Sequence, residues 1–219
     1  MQDLINIFDT HSHYDDPRFD GVREELVASL FDRGISGIIH AAVDFKSSEY
    51  GTAAAKSYEK YYAAVGIHPE NLYDAQGDYI NRLREAALSC KKVVAIGEIG
   101  LDYHYEGYDR EAQIKVFREQ IVLANELSLP IIVHCRDAVG DCMDILRELK
   151  PKGVMHCFSG SEETAKELIS LGMYIGFTGA LTFKNSKKAQ RVAQYLPIDR
   201  LLLETDCPYM APEPFRGKT

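Results

Sequence analysis

Residues 8–17 read "FDTHSHYDDP". An apolar lead-in gives way to Asp9, His11 and His13 at alternating positions. Alternate residues of a strand share a face, so these three side chains point the same way. Polar groups on the inward face of a buried strand are costly unless something binds them. The stretch also separates two folds. An open doubly wound sheet places a glycine-rich phosphate loop after its first strand. Here that place holds "THSHYDDP", which favours a barrel.

The rest of the chain repeats the pattern. Short apolar or β-branched runs occupy 4–11, 34–42, 61–69, 92–100, 130–136, 153–158, 173–179 and 201–208. Between them lie segments of helical spacing, among them 21–34, 111–127, 137–150 and 161–172. Continuous apolar strands alternating with helices imply a parallel sheet covered by helices. Eight such strands predict an α/β fold, a TIM-type (β/α)8 barrel, as a single domain over 1–219. After the eighth run only "YMAPEPFRGKT" (209–219) remains. That is too short and too proline-rich for an eighth helix. The expectation is a barrel lacking its last helix, either truncated at the C-terminus or covered by something else at the seam between last and first strands.

Composition narrows the class. A net charge of −8 argues against a protein that coats nucleic acid through a broad basic surface. It leaves room for an enzyme that meets a few phosphates through bound cations. No apolar run reaches the length of a membrane span, and "MQDLINIFDT" lacks the basic start and apolar core of a signal peptide. Five cysteines, an odd number without zinc-finger or CxxC spacing, fit a reduced, cytoplasmic setting.

In a (β/α)8 barrel the chemistry sits where strands end and loops begin. Strand 1 delivers Asp9, His11 and His13 there, strand 3 His68, strand 4 Glu98, strand 5 His134 and Arg136, strand 6 His156, and strand 8 Glu204 and Asp206. Alternation puts Val94, Ile96 and Glu98 on one face, and Ile132, His134 and Arg136 on another. Histidines and carboxylates converging on one rim make a metal site. Their number exceeds one ion's needs. Two ions, about 3.5–4 Å apart and sharing a carboxylate, fit better, and Glu98 is the best-placed bridge. Imidazole ligands favour zinc, manganese, iron or nickel, while magnesium suits a site where carboxylates and water dominate.

Other polar residues read more plainly. His40, inside "GIIHAA", is expected to be a hydrogen-bonded core histidine, and His104 a solvated loop residue. Cys135, Cys157 and Cys207 each follow a proposed site residue, so they should face the helix layer as small hydrophobes. Arg136 suits either an ion pair with Glu204 or a phosphate. Tyr103 and Tyr105 lie on the active-rim loop, where a ring stacks on a base.

Six strings, "DTHSHYD" (9–15), "VGIHPE" (65–70), "AIGEIGLDYHY" (95–105), "PIIVHCRDA" (130–138), "HCFSGS" (156–161) and "LLLETDCPYMAP" (201–212), together resemble the TatD family of metal-dependent hydrolases, within the amidohydrolase superfamily. The likeness runs from residue 8 to about 217. It implies a binuclear centre in which His11, His13, Glu98 and Asp206 hold one cation, and Glu98, His134 and His156 the other. The cations are expected to be Mg, Mn or Zn. The resemblance also implies deoxyribonuclease activity, in some members 3′–5′ exonuclease action on single-stranded DNA or RNA, with nucleic acid engaged at the metal mouth. Members usually continue into a last helix, and this chain stops before it.

The expected reaction is phosphodiester hydrolysis. Asp206 accepts the proton of the attacking water, Glu98 bridges the cations, and His68 and Arg136 orient the phosphate. Asp9 is expected to support a ligand histidine through its free ring nitrogen, and Glu204 to stand behind the ligands in the same way. The alternative keeps the centre but cleaves an amide or ester, such as a misacylated aminoacyl-tRNA. A non-enzymatic barrel that only binds metal or a partner is the third reading.

Overall fold

A computed structural model of the chain describes residues 6–218. Eight strands form one sheet: β1 (Ile7–Ser12), β2 (Ile35–Ala41), β3 (Tyr61–Val65), β4 (Val93–Asp102), β5 (Ile131–Arg136), β6 (Gly153–Met155), β7 (Tyr174–Phe177) and β8 (Leu201–Leu203). They pair in parallel in chain order. Among the described residues seven α-helices alternate with them: α1 (Arg23–Asp32), α2 (Phe45–Ser57), α3 (Tyr79–Leu88), α4 (Arg110–Leu127), α5 (Val139–Leu149), α6 (Glu162–Ser170) and α7 (Lys187–Tyr195). This is the expected barrel, nearly closed. Leu4 and Ile5, the start of the first expected strand, lie outside the described residues. Among the described residues no helix follows β8, and none is long and apolar enough to cross a membrane.

Local chemistry sets the helix starts. Asp44 caps α2 by accepting from the Ser47 N–H at 2.7 Å, while the Ser47 hydroxyl accepts from the Asp44 N–H at 2.9 Å. This reciprocal box satisfies two otherwise orphaned donors. Asp109 and Ser161 cap α4 and α6. Apolar side chains then divide into two layers. The larger lies between sheet and helices and contains Ile38, Leu83, Ile96, Phe117, Ile121 and Leu146. The smaller fills the barrel interior with Ala41, Ala64, Ala95, Ile132 and Val154. Alanines from three adjacent strands keep this floor thin, and the polar side chains converge above it.

The seam between β1 and β8 is closed by polar contacts near the mouth. The Asp206 N–H donates to the His11 carbonyl at 2.9 Å, and the His13 N–H to the Cys207 carbonyl at 2.8 Å. Lower down, Phe8 and Leu203 are exposed.

His40 is the core histidine expected from the sequence. It is fully buried, with Nε2 3.2 Å from the Ser47 carbonyl oxygen. Burial lowers its pKa from 6.5 to about 3. The folded value lies below the unfolded one, so its share of stability is complete above pH 6.5 and is lost as pH falls towards 3. His40→Gln should therefore flatten the acid limb of the unfolding free energy, measured in urea across that window. An acid limb as steep as in the parent chain would contradict the assignment.

Candidate metal centre

Glu98 stands at the middle of the mouth, almost fully buried. Its two oxygens face different groups. Oε2 lies 3.2 Å from His11 Nε2 and 3.6 Å from His13 Nε2. Asp206 Oδ1 completes this side, 3.2 Å from His13 Nε2 and 3.7 Å from His11 Nε2. Oε1 lies 2.9 Å from His134 Nδ1 and 3.1 Å from His156 Nε2. The six residues expected to hold metal thus meet at one point, in two sets joined by one carboxylate.

His68 stands closer to this centre than its expected role of orienting phosphate required. Its Nε2 is 3.7 Å from Glu98 Oε1, and its ring centroid is 4.4 Å from that of His134. Its Nδ1 accepts the Glu70 N–H at 3.2 Å, which leaves Nε2 aimed at the cluster. Among the described residues, His68, Glu98 and His134 form one of three donor triplets spaced to hold an ion. The others are His11, His13, Asp206 and His11, Glu98, His156.

The donor set fits divalent cations. The Nε2 atoms of His11 and His13 lie 3.0 Å apart, close enough that a single hydrogen fills the space between them. Both also face carboxylate oxygens. Imidazole nitrogens and carboxylates sharing one focus are the donor chemistry of a divalent metal.

Electrostatics agree with that focus. Burial alone would raise the Glu98 carboxyl pKa, but the imidazoles of His156 and His11 overcome it and hold it well below the usual range. Asp206 is likewise held low against burial, by its bond to His13 and by the other imidazoles. Burial opposes a proton on His134, yet its bonds to Asp102 and Glu98 lift its pKa to about 9. Both carboxylates are therefore ionised at neutral pH.

A second tier of contacts aims these groups. Asp102, missed in the sequence reading, accepts from His134 Nε2 at 2.9 Å. That bond turns Nδ1 inward. Asp102 is itself clamped by the buried Gln113 of α4, which bonds its main-chain N–H and C=O, each at 2.8 Å. Two turns on, Gln120 grips Ile67 in the same way, at 2.8 and 3.0 Å, and so holds the loop that carries His68. Glu204 is buried behind His156. It receives the Cys157 N–H and lies 3.4 Å from His156 Nδ1. Gly176 leaves room for it, since a Cβ there would meet Glu204 Oε2 at 2.5 Å. Asp102→Ala is expected to cost about ten- to a hundredfold in metal affinity or activity with an unchanged circular dichroism spectrum. Undiminished turnover would remove Asp102 from the account.

Three expectations need correction. Asp9 does not touch an imidazole ring. Its oxygens take the Thr205 N–H (2.9 Å), the Thr205 hydroxyl (2.7 Å) and the main-chain N–H of His11, so it ties β1 to the segment after β8. Glu98 does not share a face with Val94 and Ile96. Ala95 faces the barrel interior and Ile96 the helix layer. The β4–β5 register shifts between Ile96 and Ile99, which re-aims Glu98 inward. Arg136 is not paired with Glu204. It bonds the Tyr105 hydroxyl at 3.3 Å and lies over that ring.

The centre opens into a cleft of about 950 Å³ whose rim includes Arg136, Tyr105, Phe158, Phe183 and Tyr209. Tyr103 is elsewhere, stacked on Tyr108 and bonded to Asp141. His104 is exposed and meets Asp137 at 2.9 Å. All five cysteines are free. Cys135 and Cys207 pack against the core under the helices as expected, but Cys135 also reaches the cleft, as does Cys157, 3.4 Å from the Thr178 hydroxyl.

Known proteins are similar to this chain in sequence and fold. Residues 8–219 match the model of the family described as TatD related DNase. An uncharacterized metal-dependent hydrolase of Bacillus subtilis (strain 168), YabD, is 41% identical over 215 residues, covering 97% of this chain and 84% of that protein. The 3'-5' ssDNA/RNA exonuclease TatD of Cronobacter sakazakii is 35% identical over 210 residues, 94% of this chain and 80% of that one. The crystal structure of YJJV, a TatD homolog from Escherichia coli K12, superposes with a TM-score of 0.91 at 35% identity, over 97% of this chain and 83% of that one. The chain belongs to the TatD-related DNase family and is a metal-dependent hydrolase.

Proposed function

We propose that this hydrolase cleaves phosphodiester bonds of nucleic acid, working from the 3′ end, with two divalent cations. His11, His13, Asp206 and Glu98 would hold one cation, and Glu98, His134 and His156 the other, with His68 beside them. Bound there, the cations would stabilise charge on the phosphoryl oxygens and make water easier to deprotonate. Asp206, ionised and beside His13, accepts the proton from the attacking water. Arg136, with its planar fork at the rim, orients the phosphate. The observation that carries this reading is Glu98, with one oxygen turned to each donor set at the base of an open cleft of about 950 Å³. The polarity is supported by the relatives named as 3'-5' exonucleases. Five free thiols support a reducing, cytoplasmic setting.

The test is a single-stranded oligonucleotide labelled at its 5′ end, digested with Mg, Mn or Zn supplied in turn. Stepwise shortening that stops with chelator is expected. A parallel panel of aminoacyl esters and cyclic amides covers the other chemistry. Turnover of an ester with the oligonucleotide left intact would overturn the nuclease reading while keeping the centre.

A further inference from the structure

The proposed substrate is a polyanion, yet the chain carries a net charge of −8. That charge is unevenly spread. Residues 178–218 hold seven Lys or Arg against four Asp or Glu, and two of those acids, Glu204 and Asp206, are buried at the centre. Lys184, Lys187, Lys188 and Arg216 are exposed. They sit on the loop after β7, on the first turn of α7, and on the C-terminal segment packed against that loop. The Glu213 N–H donates to the Thr182 hydroxyl at 2.8 Å, and the Arg216 guanidinium lies 4.2 Å over the Phe183 ring. Among the described residues every salt bridge of a Lys or Arg involves other side chains. Positive charge in a helix's first turn also opposes its dipole, so Lys187 and Lys188 do not serve α7 itself.

The cations alternate with residues that line the cleft: Phe183, Asn185, Ser186 and Ala189 form its wall on this side. The cleft also carries Asp15, Asp16 and Glu70, on the loops after β1 and β3, which repel phosphate. A strand leaving the centre therefore meets attraction on the β7–α7 side and repulsion on the β1–β3 side. Most of the metal donors are below a tenth exposed, so a strand end free of its duplex reaches them best.

We propose that Lys184, Lys187, Lys188 and Arg216 form a phosphate-binding ridge that carries a single strand of nucleic acid away from the metal mouth over the β7–α7 loop. This inference rests on the nucleic-acid reading of the centre. The ridge contacts phosphates upstream of the cleaved bond, so it acts on long strands and not on the smallest substrates.

The test is the Lys184→Ala/Lys187→Ala/Lys188→Ala variant of the full, metal-loaded chain. The probe is a fluorescent single strand of about 15 nucleotides, made resistant to hydrolysis by phosphorothioate linkages and followed by anisotropy across salt concentrations. The variant should bind roughly tenfold more weakly at low salt, with a log–log salt slope shallower by about 2, since each lost phosphate contact removes about 0.7. Hydrolysis of a dinucleotide should be unchanged. A control variant, Lys56→Ala/Lys60→Ala/Lys152→Ala, removes the same charge at the opposite end of the barrel and should bind as the parent does. Parent-like affinity and slope in the ridge variant, an equal loss in the control, or a parent chain that does not bind the strand would overturn the ridge. A parent that binds with the steep slope but cleaves nothing would keep the ridge and reject the nuclease. A parent that cleaves, with a variant that binds equally well, would do the reverse.

Discussion

Glu98→Ala is expected to lower hydrolysis by about a thousandfold or more and to strip divalent metal from the chain. A bound cation supplies several kcal/mol of transition-state charge stabilisation, and about 4 kcal/mol is a thousandfold in rate. Glu98 serves both donor sets, with Oε2 3.2 Å from His11 Nε2 and Oε1 2.9 Å from His134 Nδ1. Its loss would therefore remove an oxygen from each donor set at once. Glu98→Gln keeps the shape and removes the charge, so it should fail almost as badly. Elemental analysis of the purified variants, with circular dichroism as the folding control, reads the effect. Retained metal with parent-like turnover would show that the carboxylate is not the bridge.

Gly100→Ala should cause the largest loss of stability of any single methyl addition in the centre. Gly100 has φ +150°, and a Cβ there would lie 1.9 Å from the His134 carbonyl oxygen and 2.8 Å from its carbon. Both are main-chain atoms of the paired strand, since Gly100 stands opposite His134 in the β4–β5 ladder. The strand cannot step aside without moving His134, whose Nδ1 lies 2.9 Å from Glu98 Oε1. A cost of about 3 kcal/mol or more is expected, lowering Tm by about 6–12 °C for a domain of this size. Gly107→Ala is the matched comparison. It also has positive φ, at +85°, but opens onto empty space, so about 1–2 kcal/mol of backbone strain is its whole cost. Thermal denaturation of the two variants side by side checks the difference, and equal losses would place the strain in φ alone.

Most of the barrel could be read from the sequence, because its strands are short apolar runs bounded by helices of clear period. The rim could be read too, because ionisable side chains fell at the ends of those runs. What escaped lies where the local rule bends. Strict alternation placed Glu98 with Val94 and Ile96, but the shifted β4–β5 register breaks the alternation. Asp102 was overlooked although it stands four residues beyond Glu98 and just past the Gly100–His134 pairing, and its role depends on a partner strand. Gln113 and Gln120 read as ordinary helix residues, since a buried amide gripping a neighbouring main chain leaves no periodic mark. Asp9 had the right face but a nearer partner, because Thr205 offers it two donors across the seam. His68 was assigned to substrate, and its approach to Glu98 is set by the loop that Gln120 holds.

The most direct test of the account is anomalous scattering from crystals grown with manganese or zinc. Two peaks are expected in the barrel mouth, about 3.5–4 Å apart, one beside Glu98 Oε2 among His11, His13 and Asp206, the other beside Oε1 among His134 and His156. A single peak that leaves either Glu98 oxygen without a cation, or metal bound away from Glu98, would contradict it.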